Sequence, residues 1–252
     1  MECPKAVIFD LDDTLAESFR PPRDDMVTRL SRLLEAMPVA IMSAAGFPRI
    51  EADFLHKMTN SPRIDSFYIF PNSSAQCFTH EAGSWQKAYS FQLTDEERAK
   101  VRNALAESVA EVSLEFHPHY LPAIVDRDVQ IAYAALGLEA SEADKKAWDP
   151  DQRKRKKLKE SLEKKLPDFE VLIGGKTTID ITHKGVNKAY GVTWLATRLG
   201  LPTIEMLYVG DAFYEGGNDA VVIPTGIQTR SVTGPPETLT AIDEILATCA
   251  AN

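Results

Sequence analysis

The sequence predicts an α/β protein: a doubly wound (Rossmann-like) parallel-sheet core interrupted by an inserted α+β module. Short apolar runs at 6–9, 39–42 and 206–209 end abruptly in polar or acidic residues. Parallel strands buried on both faces read this way, apolar until they leave the sheet. Helical periodicities alternate with these runs near both ends of the chain. Between about 73 and 181 that rhythm is lost and short alternating segments take its place, which suits an antiparallel sheet with helices. The expected division is 1–80 and 185–252 for the core and 81–184 for the insert.

The first strand, 6–9, runs into Asp10-Leu11-Asp12-Asp13-Thr14. A polar loop with Pro21 and Pro22 follows. Met26, Leu30, Leu33, Leu34 and Met37 then recur at helical spacing, and Pro38 closes that helix. The second strand, 39–42, ends in Ser43, Ala44, Ala45 and Gly46, small residues that let backbone N–H groups approach an anion. A third strand, 67–70, stops at Pro71-Asn72. Segments 75–78 and 87–91, separated by Glu81-Ala82-Gly83, read as a hairpin. Thr94-Asp95-Glu96-Glu97 has the form of a capping box that opens a helix to about residue 112.

Within the rest of the insert, 129–134, 171–173 and 177–181 read as strands. The run 144–166 is rich in Lys and Arg but carries Leu158, Leu162 and Leu166 on one helical face. The basic cluster at 153–157 is therefore expected on a solvated helix rather than at a nucleic-acid surface. His117-Pro118-His119 lacks a third ligand nearby and reads as a loop rather than a metal site. The core rhythm resumes with a helix over 188–199, stopped by Gly200 and Pro202. Strands at 206–209, 221–223 and 228–232 and a final helix over 236–247 complete it.

Asp10 and Asp12 stand where a strand leaves the sheet, the edge at which ligands of open α/β sheets bind. Two carboxylates at this spacing can converge on one divalent cation, and one of them can still attack a phosphorus atom. An EF-hand loop counted from Asp10 would need Gly and an acidic residue where Leu15 and Pro21 stand, so that reading fails. The chain has 252 residues, 44% of them hydrophobic, with a formal net charge of −9. This balance does not suit nucleic acid or anionic membranes as partners. Cys3, Cys77 and Cys249 are far apart in sequence, which suits a reducing compartment. No run approaches the length of a membrane span, so a soluble, cytoplasmic protein is expected, monomeric or homodimeric.

Four features follow one another: Asp10-x-Asp12-x-Thr14 and Ser43 after strands, Lys188 at the head of a helix, and Gly210-Asp211 with Gly216-Gly217-Asn218-Asp219 after a strand. Together they resemble the four motifs of the haloacid dehalogenase (HAD) superfamily of phosphoryl-transfer enzymes. The insert resembles the α+β cap of its Cof-type branch. Pro22-Arg23, Gly174-Gly175-Lys176-Thr177-Thr178-Ile179-Asp180 and Gly185-x-x-Lys188 bring the resemblance closer to the eukaryotic-type phosphomannomutases.

The resemblance implies a core with an inserted cap domain, and Mg²⁺ held by Asp10, the backbone carbonyl of Asp12 and Asp211. Asn218 and Asp219 would ligate the metal, directly or through water, or orient Lys188. It implies Asp10 as nucleophile and Asp12 as general acid and base, with Ser43, Ala44 and Lys188 on the phosphoryl group. Arg23, Thr178 and Asp180 match substrate-contacting positions. Each preorganised donor to a transferring phosphoryl group is worth about 2.7–4 kcal/mol of barrier. Phosphomannomutases also use cap arginines for a second phosphate. Here Leu138 stands about where one is expected, with Arg127 nearby, and Asp13 replaces the usual Gly. The expected function is therefore a phosphatase of a phosphorylated sugar or similar small metabolite. Mannose 1-phosphate/6-phosphate interconversion is the alternative, and a non-catalytic phospho-ligand binder the third reading.

Overall fold

The structure is a computed structural model that describes residues 2–18, 20–58, 61–114 and 119–251. The chain begins with β1 (Ala6–Asp10), α1 (Asp24–Ala36), β2 (Val39–Met42), α2 (Phe47–Ile50), α3 (His56–Met58), β3 (Phe67–Phe70), β4 (Gln76–Glu81) and β5 (Ser84–Ser90). It continues through α4 (Asp95–Val112), β6 (Ala123–Asp126), β7 (Ile131–Ala134), α5 (Glu142–Trp148), α6 (Arg153–Lys165), β8 (Phe169–Gly174) and β9 (Thr178–His183). It ends with α7 (Lys188–Leu199), β10 (Met206–Gly210), β11 (Gln228–Ser231) and α8 (Pro235–Ala250). Two compact units result, Met1–Ser90 with Asn187–Asn252, and Phe91–Val186.

The first unit carries a seven-stranded sheet in the order β11-β10-β1-β2-β3-β4-β5. The first five of these strands are parallel, and β4 and β5 extend the sheet as an antiparallel hairpin. Every residue of β1 is buried, because its alternate side chains enter two different cores. Val7 and Phe9 pack with Leu30 and Leu34 of α1 and Ile242 of α8. Ala6 and Ile8 pack on the opposite face with Val192 and Leu195 of α7. Each such fully buried aliphatic or aromatic side chain contributes about 1.5–3 kcal/mol.

The second unit is an antiparallel sheet in the order β6-β7-β9-β8. Ile131, Tyr133, Val171, Ile173, Ile179 and Ile181 line one face of it, against Leu105 of α4 and Leu158 and Leu162 of α6. The capping box forms as expected. Thr94 Oγ1 accepts the Glu97 N–H at 3.2 Å, and Glu97 Oε2 accepts the Thr94 N–H at 2.7 Å.

Several expectations change. The 80/81 boundary would cut a hairpin whose strands pair along their length, so the first unit runs to Ser90. The apolar run at 221–223 forms a 3₁₀ turn, Ala220–Thr225, closed by Pro224 and by Gly226 at φ +77°. The basic run splits at Pro150 into α5 and α6. Its Arg155 is buried rather than solvated, paired with Asp149 at 2.9 Å and bonded to the carbonyls of Gly174 and Gly175. β6 and the helical turns over 47–58 were not foreseen. His117 and Pro118 lie outside the described residues.

Cys3 and Cys249 form a disulfide, with Cα atoms 4.9 Å apart across a sequence separation of 246. Their distance along the chain concealed this, because β1 and the last turn of α8 bring the two termini together. Cys77 is a buried free thiol. Among the described residues no helix is long and apolar enough to cross a membrane.

Candidate active site

β1 and β10 lie side by side in parallel register, so Asp10 and Asp211 emerge from neighbouring strand ends. Lys188 is the first residue of α7, whose cap is the Asn187 carboxamide oxygen accepting the N–H groups of Ala189 and Tyr190. With the helix start satisfied by Asn187, the Lys188 ammonium bonds Oδ1 of Asp10 and Oδ1 of Asp219, each at 2.7 Å. Lys188 is 2% exposed and Asp10 4%. A lysine buried this deeply needs paired carboxylates, and it has two.

Asp219 accepts three donors. Its Oδ1 also accepts the Tyr208 hydroxyl at 2.7 Å, and its Oδ2 accepts the Ala212 N–H at 3.0 Å. The packing is close enough to require glycine at 210, where a Cβ would stand 2.3 Å from Asp219 Oδ2. Thr14 donates to Asp211 Oδ1 at 3.3 Å. One oxygen from each of Asp10, Asp211 and Asp219 lies within 4.8 Å of the others.

Three acidic groups thus face one ammonium. Burial pushes the Asp10 carboxyl up, opposed by Lys188, and burial with repulsion from Asp219 pushes Asp211 up to about 6. Burial also disfavours the Lys188 ammonium, but Asp10 and Asp219 outweigh it and raise its pKa, so it stays charged. Burial and Asp219 together raise Tyr208, which keeps its proton and remains a donor. A second cation would relieve the excess negative charge. The hard oxygens of this donor set fit a small divalent ion. Asp10, Asp211 and Asp219 each offer it one oxygen, while Asp219 also accepts three donors from the protein.

The remaining expected residues divide. Asp12 is clamped by Arg49, whose Nη1 and Nη2 reach its two oxygens at 3.0 and 2.6 Å. Asp13, in place of Gly, adopts φ +56°. That left-handed conformation explains the usual glycine, and here the Asp13 carboxylate holds the turn by accepting the N–H and hydroxyl of Ser18. Ser43 is buried behind β2, and its hydroxyl accepts the Ala45 N–H at 3.0 Å, with half-buried Ala44 between them. Asn218 is half-buried in the turn before Asp219.

Arg23 is not brought to the carboxylates. It pairs with Asp25 at 2.9 Å and lines a separate cavity of about 220 Å³ with Arg20, Met26 and Pro236. Thr178 and Asp180 share one face of β9 in the second unit. Thr178 donates to the Gly174 carbonyl at 2.6 Å, and Asp180 is buried against Gly174. Arg49 and Tyr208 were not foreseen. A hydroxyl in an otherwise apolar strand was the available signal for Tyr208, whereas nothing local marks Arg49.

A model of the eukaryotic phosphomannomutase family matches residues 26–248. The chain belongs to the eukaryotic phosphomannomutase family. Phosphomannomutase-family proteins are HAD-type phosphoryl-transfer enzymes, and this member has the HAD fold. It is similar to an N-terminally truncated, IMP-bound Plasmodium falciparum IMP-nucleotidase, with 16% identity and a TM-score of 0.73 over 97% of this chain and 68% of that one. A haloacid dehalogenase-like hydrolase from Bacteroides thetaiotaomicron gives 15% and 0.62, over 96% and 99%. The Aspergillus fumigatus trehalose-6-phosphate phosphatase gives 14% and 0.55, over 96% and 92%. At these identities the likenesses speak for the fold alone. No curated protein matches the sequence of this phosphomannomutase-family member.

Proposed function

We propose that the chain is a Mg²⁺-dependent phosphatase of a phosphorylated sugar or similar small metabolite, working through an aspartyl-phosphate on Asp10. The observation that supports this best is the buried Lys188 ammonium held between Asp10 and Asp219, with Asp211 beside them. A phosphate monoester dianion repels an attacking carboxylate, so positive charge has to be in place before it binds.

Mg²⁺, held by Asp10, Asp211 and the Asp12 carbonyl, would neutralise charge on the phosphoryl oxygens. Lys188 fixes Asp10 Oδ1 and leaves Oδ2 to attack phosphorus, breaking the ester P–O bond. Asp12 gives its proton to the leaving oxygen. It then takes one from the water that cleaves the Asp10–phosphorus bond, a role worth about 10²–10⁴ in rate. Ser43, Ala44 and Lys188 hold the phosphoryl oxygens, and Asp219 orients Lys188, with Asn218 in the adjoining turn. In this reading the second unit is the substrate-selecting cap, with Thr178 and Asp180 among the selecting residues and Arg23 a further candidate in the core. Soluble metabolites suit the cytoplasmic location expected from the sequence, but the Cys3–Cys249 disulfide removes the support that the cysteines gave a reducing compartment.

Family membership favours a second reading, the mutase. Against it, the arginines among the described residues of the second unit are already engaged. Leu138 is 61% exposed and uncharged. The arginines at 98, 102, 127, 153 and 155 all have partners: Arg98 with Asp95 and Asp128, Arg102 with Asp126, Arg127 with Gln130, Arg153 with Asp151, and Arg155 with Asp149. The deciding experiment assays phosphate release from a panel of sugar phosphates with Mg²⁺, alongside interconversion of mannose 1- and 6-phosphates. Release without interconversion is expected, and efficient interconversion would establish the mutase instead. Asp10→Asn should abolish turnover of every substrate, and full activity in that variant would refute the nucleophile assignment.

A further inference from the structure

We propose that Arg49 is the positioning residue for Asp12, a role that depends on the proposed phosphoryl-transfer reaction. The guanidinium fork meets both carboxylate oxygens, at 3.0 and 2.6 Å, while its Nε lies 3.5 Å from Asp53 Oδ2. Two parallel bonds fix the position and the plane of a carboxylate, which a single-point lysine contact does not.

The mount of Arg49 is itself rigid. It sits on α2 between Phe47, stacked on Phe78 with ring centroids 3.8 Å apart, and Ile50, which is fully buried. Asp53, one turn further on, braces the other edge of the guanidinium. Asp12 by contrast sits in the turn after β1, outside any helix or sheet strand, where Asp13 takes a left-handed conformation. A group that passes protons in both halves of a reaction has to stay within hydrogen-bond reach of two different oxygens. Its anchor comes here from another strand end, α2 following β2. Both partners are roughly a quarter exposed, at 26% and 29% of their side chains. Water still reaches the pair, so Asp12 can meet a substrate oxygen while Arg49 holds it.

The test is a double-substitution cycle with p-nitrophenyl phosphate and Mg²⁺. The leaving group of this substrate departs without a proton, which keeps the Asp12→Asn background measurable. Arg49→Met in the otherwise unchanged protein should lower kcat by roughly tenfold or more, a part of the general-base contribution to hydrolysis of the aspartyl-phosphate, with KM changed less than about twofold. Arg49→Lys should recover only part of the loss. In the Asp12→Asn background, Arg49→Met should cost nothing further, because the side chain it holds no longer passes protons. An equal cost in both backgrounds, or a loss in KM alone, would overturn the assignment and leave the proposed function standing. No turnover of any phosphate monoester by the unsubstituted protein would overturn the proposed function, and this inference with it.

Discussion

Asp211 carries the clearest electrostatic consequence at the scale of single residues. Burial and Asp219 push its pKa up to about 6 from an ordinary value of 3.8. A raised acid pKa gives stability that is present below the ordinary value and lost as pH rises through the folded one. The metal-free protein should therefore lose this contribution between about pH 4 and 6. Mg²⁺ needs the carboxylate and competes with that proton, so its stabilisation should grow over the same window. Thermal unfolding at pH 5, 6 and 7.5 with and without Mg²⁺ checks this. The expected result is a Mg²⁺-dependent rise in Tm at pH 7.5 that fades by pH 5, and an equal rise at all three would contradict it. Lys188 was recognisable from its order among the motifs, but its bond to Asp10 was not. The sequence offered Asp219 as metal ligand or lysine partner, and the three donors on its oxygens favour the second.

At the scale of the element, strand ends set the site. β10 ends at Gly210, and Asp219 folds back over that residue, its Oδ2 lying 2.3 Å from where a Cβ would be. Gly210→Ala should force that carboxylate aside. The expected cost is the 1–3 kcal/mol typical of overpacking, with a larger relative loss of activity because Lys188 loses its second anchor. Denaturant unfolding and phosphate release, measured on the same preparation, test both parts. Unchanged activity would mean that Asp219 need not hold its place. The core helices and strands were legible because burial on two faces writes continuous apolar runs and amphipathic helices write a 3.6-residue period. The 220–225 turn was misread for a related reason. A three-residue apolar run carries no period, and Pro224 and Gly226 acted where the pattern could not.

For the molecule as a whole, the Cys3–Cys249 bridge ties the two ends of the first unit. Closing a loop of this length constrains the unfolded chain by about 5 kcal/mol in the entropic model. Cys3→Ser, or reduction of the unsubstituted protein, should lower Tm by several degrees while leaving kcat unchanged, since the bridge lies outside the carboxylate cluster. A scan with and without a strong reductant measures this, and an unchanged Tm would show that the bridge adds nothing. The hairpin β4–β5 makes a similar point about scale. Its strands were readable, but their place on the core sheet depended on pairing with β3, which lies outside the hairpin.

The sequence by itself determined the alternation of strands and helices, the order of the four motifs, and hence the family and the class of chemistry. These are properties of local period and of residue type at the ends of elements. Only the tertiary structure decided which carboxylate serves Lys188, that Arg49 grips Asp12, that Tyr208 steadies Asp219, and that two distant cysteines meet. Each of those is a contact between segments whose sequence separation carries no information about their distance in space.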